Sequence, residues 1–331
     1  MNDNNAVNRP PRLGLDLFSL RSQGWTALQQ LDFCAAHGVE VAHFSEPRLL
    51  GSVDAEALRA VRAHAGRLGI SLEAGMLSIS HSATIFNDAA GSAEAQLSTA
   101  IDIAAALGSP VVRCVVGSFR DRVQPGGIEQ RIADAVEVIG RVRSRALDAG
   151  VRIAVENHAG DMQARELKGL IEAAGPDVAG ACLDAGNALW AVEDPLHTLE
   201  TLAPYVLTSH TRDSALRATA SGAEVAWTRM GEGNIGIDAY LDEFRRCCPG
   251  LPLMLEIIVM PAPRPLPYRD RTFWDGYRQM PAWEFQRFVD LLERGTAVPL
   301  PEGPMDAATE LAHVEASIRW TRQYLERTSA G

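Results

Sequence analysis

Four apolar segments of this chain each end in a side chain that can bind a metal ion. They end at Glu156, Asp184, His210 and Glu256. A carboxylate in a buried strand is costly unless it is paired or binds a metal. For one isolated residue a helix cap or a salt bridge is the simpler interpretation, but four at successive strand ends favour a shared metal site. Three carboxylates and one imidazole suit Mn²⁺, the ion we expect, and also Mg²⁺, Co²⁺ or Zn²⁺.

Two polar residues close to this set are candidate substrate contacts. His158 lies two positions after Glu156. Because alternate side chains of a strand share a face, His158 can either hydrogen-bond a substrate hydroxyl or hold Glu156 in place. Arg212 can bind a substrate oxygen or carboxylate, and a surface ion pair with Asp213 is its alternative. We include both His158 and Arg212 in the predicted site.

Three other charged residues bear on the chemistry. Arg113 lies in a valine-rich strand and is a candidate substrate contact if its side chain points inward. Glu232 stands between two glycines and is a further candidate, with stabilisation of the turn as its alternative. Lys168 is the only lysine and falls in a helix predicted over residues 162–174. Since Schiff-base chemistry needs a lysine in the site, that class of enzyme is not expected.

The predicted elements that must position these residues alternate between strand and helix. Eight such units favour a closed (β/α)8 TIM barrel, in which the carboxyl ends of the strands converge on one face. A doubly wound open sheet is the alternative, but no GxGxxG follows the first strand, so we expect no nucleotide cofactor. The predicted strands cover residues 13–20, 39–46, 70–79, 110–117, 153–156, 178–184, 206–210 and 251–259.

The chain divides into three parts. Residues 1–12 are predicted to be a disordered or extended N-terminal arm, and residues 13–260 form the catalytic barrel. Residues 261–331 are predicted to be a helical extension that packs on the barrel or on a partner subunit. The extension starts with an extended connector over residues 261–267, followed by an aromatic patch that is more typical of packing than of a sugar platform.

Composition excludes several classes of partner. The net charge of −11 argues against nucleic acid and anionic membranes, and no apolar run reaches the length of a membrane span. Five cysteines without CxxC spacing, together with a polar N-terminus, indicate reduced thiols and a cytoplasmic location. The expected partner is a small polyhydroxy carbonyl substrate, and the expected assembly is a homodimer or homotetramer.

The motifs around the four ligand candidates resemble those of the xylose isomerase-like superfamily. They are Val-Glu-Asn-His at 155–158, Leu-Asp-Ala-Gly-Asn at 183–187, Ser-His-Thr-Arg-Asp at 209–213 and Leu-Glu-Ile at 255–257, and residues 227–236 resemble the family's Gly-x-Gly turn. The family includes ketose 3-epimerases, hydroxypyruvate isomerase, and inosose isomerases and dehydratases. The resemblance covers roughly residues 13 to 260 and implies the barrel and the metal, but not the substrate.

Apurinic endonucleases share this fold, but the resemblance to them is incomplete. They carry additional zinc-binding histidines, one of which corresponds to Asn187 here and another approximately to Trp227. With these ligands missing and a net charge of −11, a DNA-repair function is rejected. Sugar epimerases often also carry histidine at the position of Asn187, so we expect substrate contacts there to differ from theirs.

The resemblance implies proton transfer alpha to a carbonyl through a metal-stabilised enediolate. Glu156 and Glu256 would be both metal ligands and acid/base groups, whereas Asp184 and His210 would be ligands only. Isomerisation or epimerisation of a sugar is the expected outcome. A lyase or dehydratase acting on a keto-sugar, keto-inositol or 3-keto-glycoside is the alternative, and a non-catalytic sugar-binding barrel is a third hypothesis.

Overall fold

The computed structural model describes residues 11–300, 302–303 and 305–329, so most of the predicted N-terminal arm lies outside the described residues. Its central feature is a parallel sheet of eight strands in the order β10-β1-β2-β3-β4-β5-β6-β7. The strands are β1 (Leu13–Asp16), β2 (Val41–Phe44), β3 (Ser71–Ser78), β4 (Val111–Val115), β5 (Arg152–Glu156), β6 (Ala179–Asp184), β7 (Val206–His210) and β10 (Leu253–Leu255).

The sheet curls into a nearly closed barrel. Its two end strands, β7 and β10, meet through a parallel bridge between Thr211 and Leu255. The Thr211 amide donates to the Met254 carbonyl at 2.7 Å, and the Glu256 amide donates to the Thr211 carbonyl at 3.1 Å. This closure confirms the TIM barrel and excludes the open sheet. It also brings the ends of β5, β6, β7 and β10 to one mouth.

Helices follow the strands and begin and end at residues that the sequence marks clearly. The carboxylate of Asp54 accepts from the first turn of α2, and Gly69 ends that helix in the left-handed conformation. Ser92 and Gly108 do the same for α3, because short polar side chains cap helix N-termini and glycine tolerates positive φ. The helices are α1 (Ala27–Ala36), α2 (Ala55–Leu68), α3 (Ala93–Leu107), α4 (Gly127–Asp148), α5 (Ala164–Ala174), α6 (Ala185–Trp190), α7 (Pro195–Leu202), α8 (Ile237–Cys247), α9 (Ala282–Arg294) and α10 (Ala307–Ser329).

A small antiparallel sheet stands over the mouth of the barrel. The excursion after His210 forms a hairpin of β8 (Asp213–Thr219) and β9 (Gly222–Thr228). Strand β11 (Arg264–Leu266) pairs with the outer side of β9. The extended connector predicted over residues 261–267 thus contains a short edge strand, whose pairing with β9 was not predicted. A proline is tolerated in this edge strand because the outer side of the strand has no neighbouring strand to which a backbone N–H would have to donate.

The C-terminal extension packs on the same chain. The carboxylate of Glu310 in α10 accepts from the amide and hydroxyl of Ser22 at 2.9 and 2.8 Å. The predicted aromatic patch packs with the hairpin in a second apolar core, in which Phe288 is fully buried. None of the helices in the described part of the chain combines the length and apolar character needed to cross a bilayer.

Candidate functional site

The structure brings the four predicted ligand residues together at the mouth of the barrel. Glu156 ends β5, Asp184 ends β6, His210 ends β7 and Glu256 follows β10. All four are buried, and one donor atom of each lies within 4.8 Å of the others. His210 Nδ1 is 3.2 Å from Oε2 of Glu156 and 3.2 Å from Oε2 of Glu256. The convergence follows from barrel closure, because the four strand ends share one rim.

Asn157 locks the ends of β5 and β6 to each other. Its amide nitrogen donates to the Asp184 carbonyl at 2.8 Å, and its amide oxygen accepts from the Asp184 backbone N–H at 2.8 Å. Asp184 also caps α6, since its Oδ1 accepts from the backbone N–H of Asn187 at 2.9 Å. The helix cap and the ligand role considered for Asp184 are thus compatible, because the cap uses only Oδ1 and leaves Oδ2 to face the site.

Two buried arginines balance part of the negative charge of these carboxylates. Nε of Arg113 donates to Oε2 of Glu156. Nη2 of Arg212 donates to Oδ2 of Asp184 at 2.6 Å and forms an ion pair with Glu256. The surface ion pair considered for Arg212 is wrong, since its side chain is only 1% exposed and its partners are ligand candidates. Three carboxylates face two guanidinium groups, which leaves one negative charge uncompensated.

Burial and charge set the ionisation of these groups. Burial alone would raise the pKa of Glu156, but Arg113 and His210 together hold it well below its usual range. Burial raises the pKa of Asp184, and the Arg212 guanidinium opposes that shift. Glu156 is therefore a carboxylate at neutral pH, the form that both metal binding and proton abstraction require.

His43 in β2 is a neighbour of the site that was not among the residues predicted from the sequence. Its Nδ1 and His210 Nε2 are 2.9 Å apart and share a hydrogen bond. Because this bond occupies Nε2 of His210, Nδ1 is the nitrogen that faces the carboxylates. The pattern Val-Ala-His43-Phe44 places a polar residue near the carboxyl end of an apolar strand, so the rule that identified the four ligands could have found His43.

The two neutral candidates, Asn187 and His158, both lie beside the site. Asn187 Nδ2 donates to Oε1 of Glu156 at 3.0 Å, and its Oδ1 is buried without a hydrogen-bond partner. His158 Nδ1 donates to the Gly117 carbonyl at 2.8 Å. Burial lowers the pKa of His158, so the ring is neutral and its Nε2 is an acceptor. Glu156 is thus held by Asn187 and Arg113 rather than by His158.

Glu232 does not join the other candidates. It is exposed, and its carboxylate pairs with Arg229 three residues earlier. The glycine turn is also held by Asp213, whose Oδ2 accepts from the amides of Gly231 and Gly233 at 3.1 and 2.9 Å. The predicted role of Glu232 in substrate binding therefore lacks a supporting contact, whereas its ion pair with Arg229 lies within the turn and agrees with the alternative role in stabilising it.

The four-residue group fits a divalent cation by its own chemistry. Its donors are three hard oxygens and one imidazole nitrogen, and His210 Nδ1 is buried without a hydrogen-bond partner. A second buried group of Glu193, His197 and Glu284 also has donor atoms within 4.8 Å of one another. There, however, the carboxylate of Glu193 already accepts from the amide of Ala164 and the hydroxyl of Thr198, so it is satisfied within the chain.

Comparison with known proteins identifies a family model and a curated relative that match this chain. The family model is that of the xylose isomerase-like TIM barrel, and it matches residues 31–274. The relative is the uncharacterized protein YihM of Escherichia coli K12, 25% identical over 192 residues. The match covers 58% of this chain and 53% of YihM, so the chain spans about half the length of that relative.

Solved structures with low sequence identity share the fold. D-psicose 3-epimerase, crystallised with D-fructose, is 16% identical and superposes with a TM-score of 0.61, over 95% of this chain and 99% of the epimerase. A probable 3-DHS dehydratase, AsbF of Bacillus anthracis, is 14% identical with a TM-score of 0.56, over 74% of this chain and 92% of the dehydratase. At these identities the likeness establishes the barrel architecture.

Proposed function

The chain belongs to the xylose isomerase-like TIM barrel family, and from this we propose that it is a divalent-metal-dependent isomerase or epimerase acting on a small polyhydroxy carbonyl compound. The observation that carries the proposal is the buried group of Glu156, Asp184, His210 and Glu256, whose donor atoms lie within 4.8 Å of one another. Burying three carboxylates in one place is costly, and the donor set is one that a divalent cation satisfies.

These four residues would hold the ion. When bound, a divalent cation polarises the substrate carbonyl and stabilises the negative charge that develops as the alpha proton leaves. Mn²⁺ is the ion that we expect, with Mg²⁺, Co²⁺ and Zn²⁺ as the other candidates.

Glu156 and Glu256 are the proposed acid and base. Oε2 of each carboxylate lies 3.2 Å from His210 Nδ1. One carboxylate removes the proton alpha to the carbonyl and becomes a carboxylic acid. In an isomerisation the same group returns that proton to the neighbouring carbon of the enediolate, whereas in an epimerisation the other group, protonated beforehand, donates a proton to the opposite face. The depressed pKa of Glu156 keeps it ionised, the form in which a carboxylate can accept a proton.

Four further side chains would position the substrate. His158 offers its free Nε2 to a substrate hydroxyl, since Nδ1 is bonded to Gly117. Asn187 offers its unpartnered Oδ1. Arg113 and Arg212 are paired with Glu156 and with Asp184 and Glu256, so we propose that they first orient and neutralise the ligands, with their remaining N–H groups available to substrate oxygens.

The proposal is tested by metal analysis and by proton exchange. We expect the protein purified without chelator to hold about one equivalent of divalent metal, and a keto-sugar in D₂O with Mn²⁺ to incorporate deuterium. Glu156→Gln and Glu256→Gln should each reduce the exchange rate by at least about 10³-fold, since each removes an acid/base group. Glu137→Gln, at an exposed position on α4, is the matched control.

A lyase or dehydratase is the second candidate, favoured by the structural likeness to the probable dehydratase of Bacillus anthracis. The same enediolate can expel a substituent from the next carbon instead of being reprotonated. Deuterium incorporation without loss of water or of an aglycone supports the isomerase. Release of either product with no exchange into recovered substrate supports the lyase.

A non-catalytic sugar-binding barrel makes the opposite predictions. It predicts no bound metal after chelator-free purification, and sugar binding that is unchanged in Glu156→Gln. The identity of the metal, a cytoplasmic location and a homodimer or homotetramer stay predictions from the sequence.

A further inference from the structure

Several buried N–H groups above the metal-site candidate have no acceptor. These donors belong to four side chains, and each donor nitrogen is buried without a hydrogen-bond partner among the described residues. A buried donor without a partner costs about 1–3 kcal/mol, and a charged one costs more. The atoms are Nε1 of Trp190, Nε1 of Trp227, Nε and Nη1 of Arg212, and Nη1 of Arg264.

Arg264 is the most informative of these. It comes from β11 in the C-terminal extension, and its guanidinium carbon lies 3.4 Å from the ring centroid of Phe119 and 4.6 Å from that of Trp190. Nearby Arg122 has a carboxylate partner in Glu166, whereas Arg264 forms no ion pair with any described residue. Stacking covers the faces of the guanidinium, and no described residue accepts from its Nη1–H. Arginine binds oxyanions through this N–H edge.

A continuous stack connects Arg264 to the candidate catalytic residues. The guanidinium of Arg212 lies 4.1 Å from the ring centroid of Trp227. Trp227 stacks on Trp190 at 4.5 Å and 15°, and Trp190 contacts Arg264. At the other end, Arg212 pairs with Asp184. The unpartnered donors therefore lie along one path that begins at the metal-site candidate and ends at the extension.

We propose that the substrate carries an oxyanion remote from its reacting carbonyl, a carboxylate or a phosphate, and that Arg264 binds it. The indole N–H groups of Trp190 and Trp227 donate to other oxygens of the same ligand. This inference rests on the proposed function for the reacting end of the molecule. The surface as a whole, at a net charge of −11, repels anions, so an acidic substrate requires a local unpaired cation of this kind.

The test compares acidic and neutral probes in EDTA, because the contact with Arg264 does not need the metal. The probes are D-glucuronate against D-glucose and D-fructose 6-phosphate against D-fructose, each titrated by calorimetry. We expect the acidic member of at least one pair to bind at least tenfold more tightly than its neutral partner. Whichever pair shows the difference identifies the anion as a carboxylate or a phosphate.

Variants assign the preference to Arg264. Arg264→Met should abolish it, Arg264→Lys should retain part of it, and Arg269→Met, at an exposed position of the same extension, should leave it unchanged. Circular dichroism checks folding. If Arg264→Met is unfolded, the test of the inference is made with Arg264→Lys. A lysine cannot reproduce the paired N–H donors of a guanidinium, so this variant must show a weaker preference for the acidic probes.

Equal binding of acidic and neutral probes to the unaltered protein, or an undiminished preference in the folded Arg264 variants, overturns the inference. Failure of the proposed function gives a different pattern, in which no metal binds and no Mn²⁺-dependent exchange occurs, while the acidic probes keep their advantage in EDTA. Conversely, exchange that depends on Mn²⁺ without any preference for acidic probes overturns the role of Arg264 alone.

Discussion

At the scale of single residues, the hydrogen bond between His43 and His210 decides which nitrogen can bind a cation. If Nδ1 of His210 is to offer a lone pair, its proton must lie on Nε2 and be donated to Nδ1 of His43, 2.9 Å away. Partners of this kind fix the tautomer of a ligating histidine, and their loss typically costs 10–100-fold in metal affinity.

We therefore expect His43→Leu to weaken Mn²⁺ binding by about 10–100-fold, measured by competition with a fluorescent chelator. His43→Asn, which restores an acceptor, should recover part of the affinity. His64→Asn is the control, because His64 pairs with Asp32 at the surface. Equal affinity in His43→Leu and the unaltered protein would mean that His43 does not orient the ligand.

Arg212 competes with a cation for the same carboxylates. It pairs with Asp184 and Glu256, so Arg212→Met leaves two buried carboxylates without a counter-charge. Breaking a buried ion pair from one side costs about 3–5 kcal/mol. In EDTA we expect the variant to unfold at a lower temperature, and Mn²⁺ to raise its Tm by more than it raises that of the unaltered protein.

Thermal unfolding with and without Mn²⁺ measures both effects. Arg217→Met removes an exposed arginine that pairs with Glu224. It should change neither the Tm in EDTA nor the rise in Tm that Mn²⁺ produces. If Mn²⁺ raises the Tm of Arg212→Met and that of the unaltered protein by the same amount, Arg212 does not compete with the cation for these carboxylates.

At the scale of elements, the glycine turn beside the hairpin depends on one carboxylate. Asp213 accepts from the amides of Ser214, Gly231 and Gly233. Asp213→Ala leaves these three donors without their acceptor, at about 1 kcal/mol each. We expect the free energy of unfolding, measured in urea, to fall by about 3 kcal/mol. Asp213→Asn keeps one acceptor oxygen and should lose less; equal losses in the two variants would argue against these hydrogen bonds.

The sequence predicted the elements whose signals are local. The caps at Asp54 and Ser92 and the glycines that end the same two helices are visible in the sequence, because capping involves neighbouring residues. Strand β11 was missed because pairing with β9 is a long-range contact. A Pro-rich segment gives no local sign of such a contact.

The same distinction holds for the site. The four ligand candidates could be predicted because each ends or directly follows a strand, and barrel closure then brings strand ends together. Which carboxylate Arg113 or Arg212 would pair with could not be predicted, since a long side chain at the rim reaches several strand ends. The exposure of Glu232 was equally invisible, because the course of the turn depends on its packing.

At the scale of the whole molecule, several buried acids outside the ligand set make stability depend on pH. Burial raises the pKa of Glu73 and of Asp161 to about 7, and that of Glu193 to about 8. For such a group, the unfolded chain releases its proton near pH 4.5 or below while the folded chain retains it. Stability is therefore fully present at lower pH and is lost as the pH rises through the folded pKa.

Glu193 provides the cleanest test, because its carboxylate interacts with Ala164 and Thr198 rather than with the candidate ligands. Burial is the largest cause of its raised pKa, and the nearby carboxylates of Glu284 and Glu166 add to it. Between about pH 5 and 8 the unaltered protein should lose up to ~4 kcal/mol through this residue, at about 1.4 kcal/mol per pKa unit.

Glu193→Gln cannot titrate, so its free energy of unfolding relative to the unaltered protein should rise steadily from pH 5 to pH 8 and then level off. The substitution also removes one acceptor oxygen, but the free-energy cost of that loss is the same at every pH. It therefore does not affect the slope with pH, which is the quantity compared. Urea unfolding at several pH values measures that slope, with the exposed substitution Glu137→Gln as the control. Parallel pH profiles for Glu193→Gln and the unaltered protein would show that Glu193 is ionised in the folded chain throughout this range.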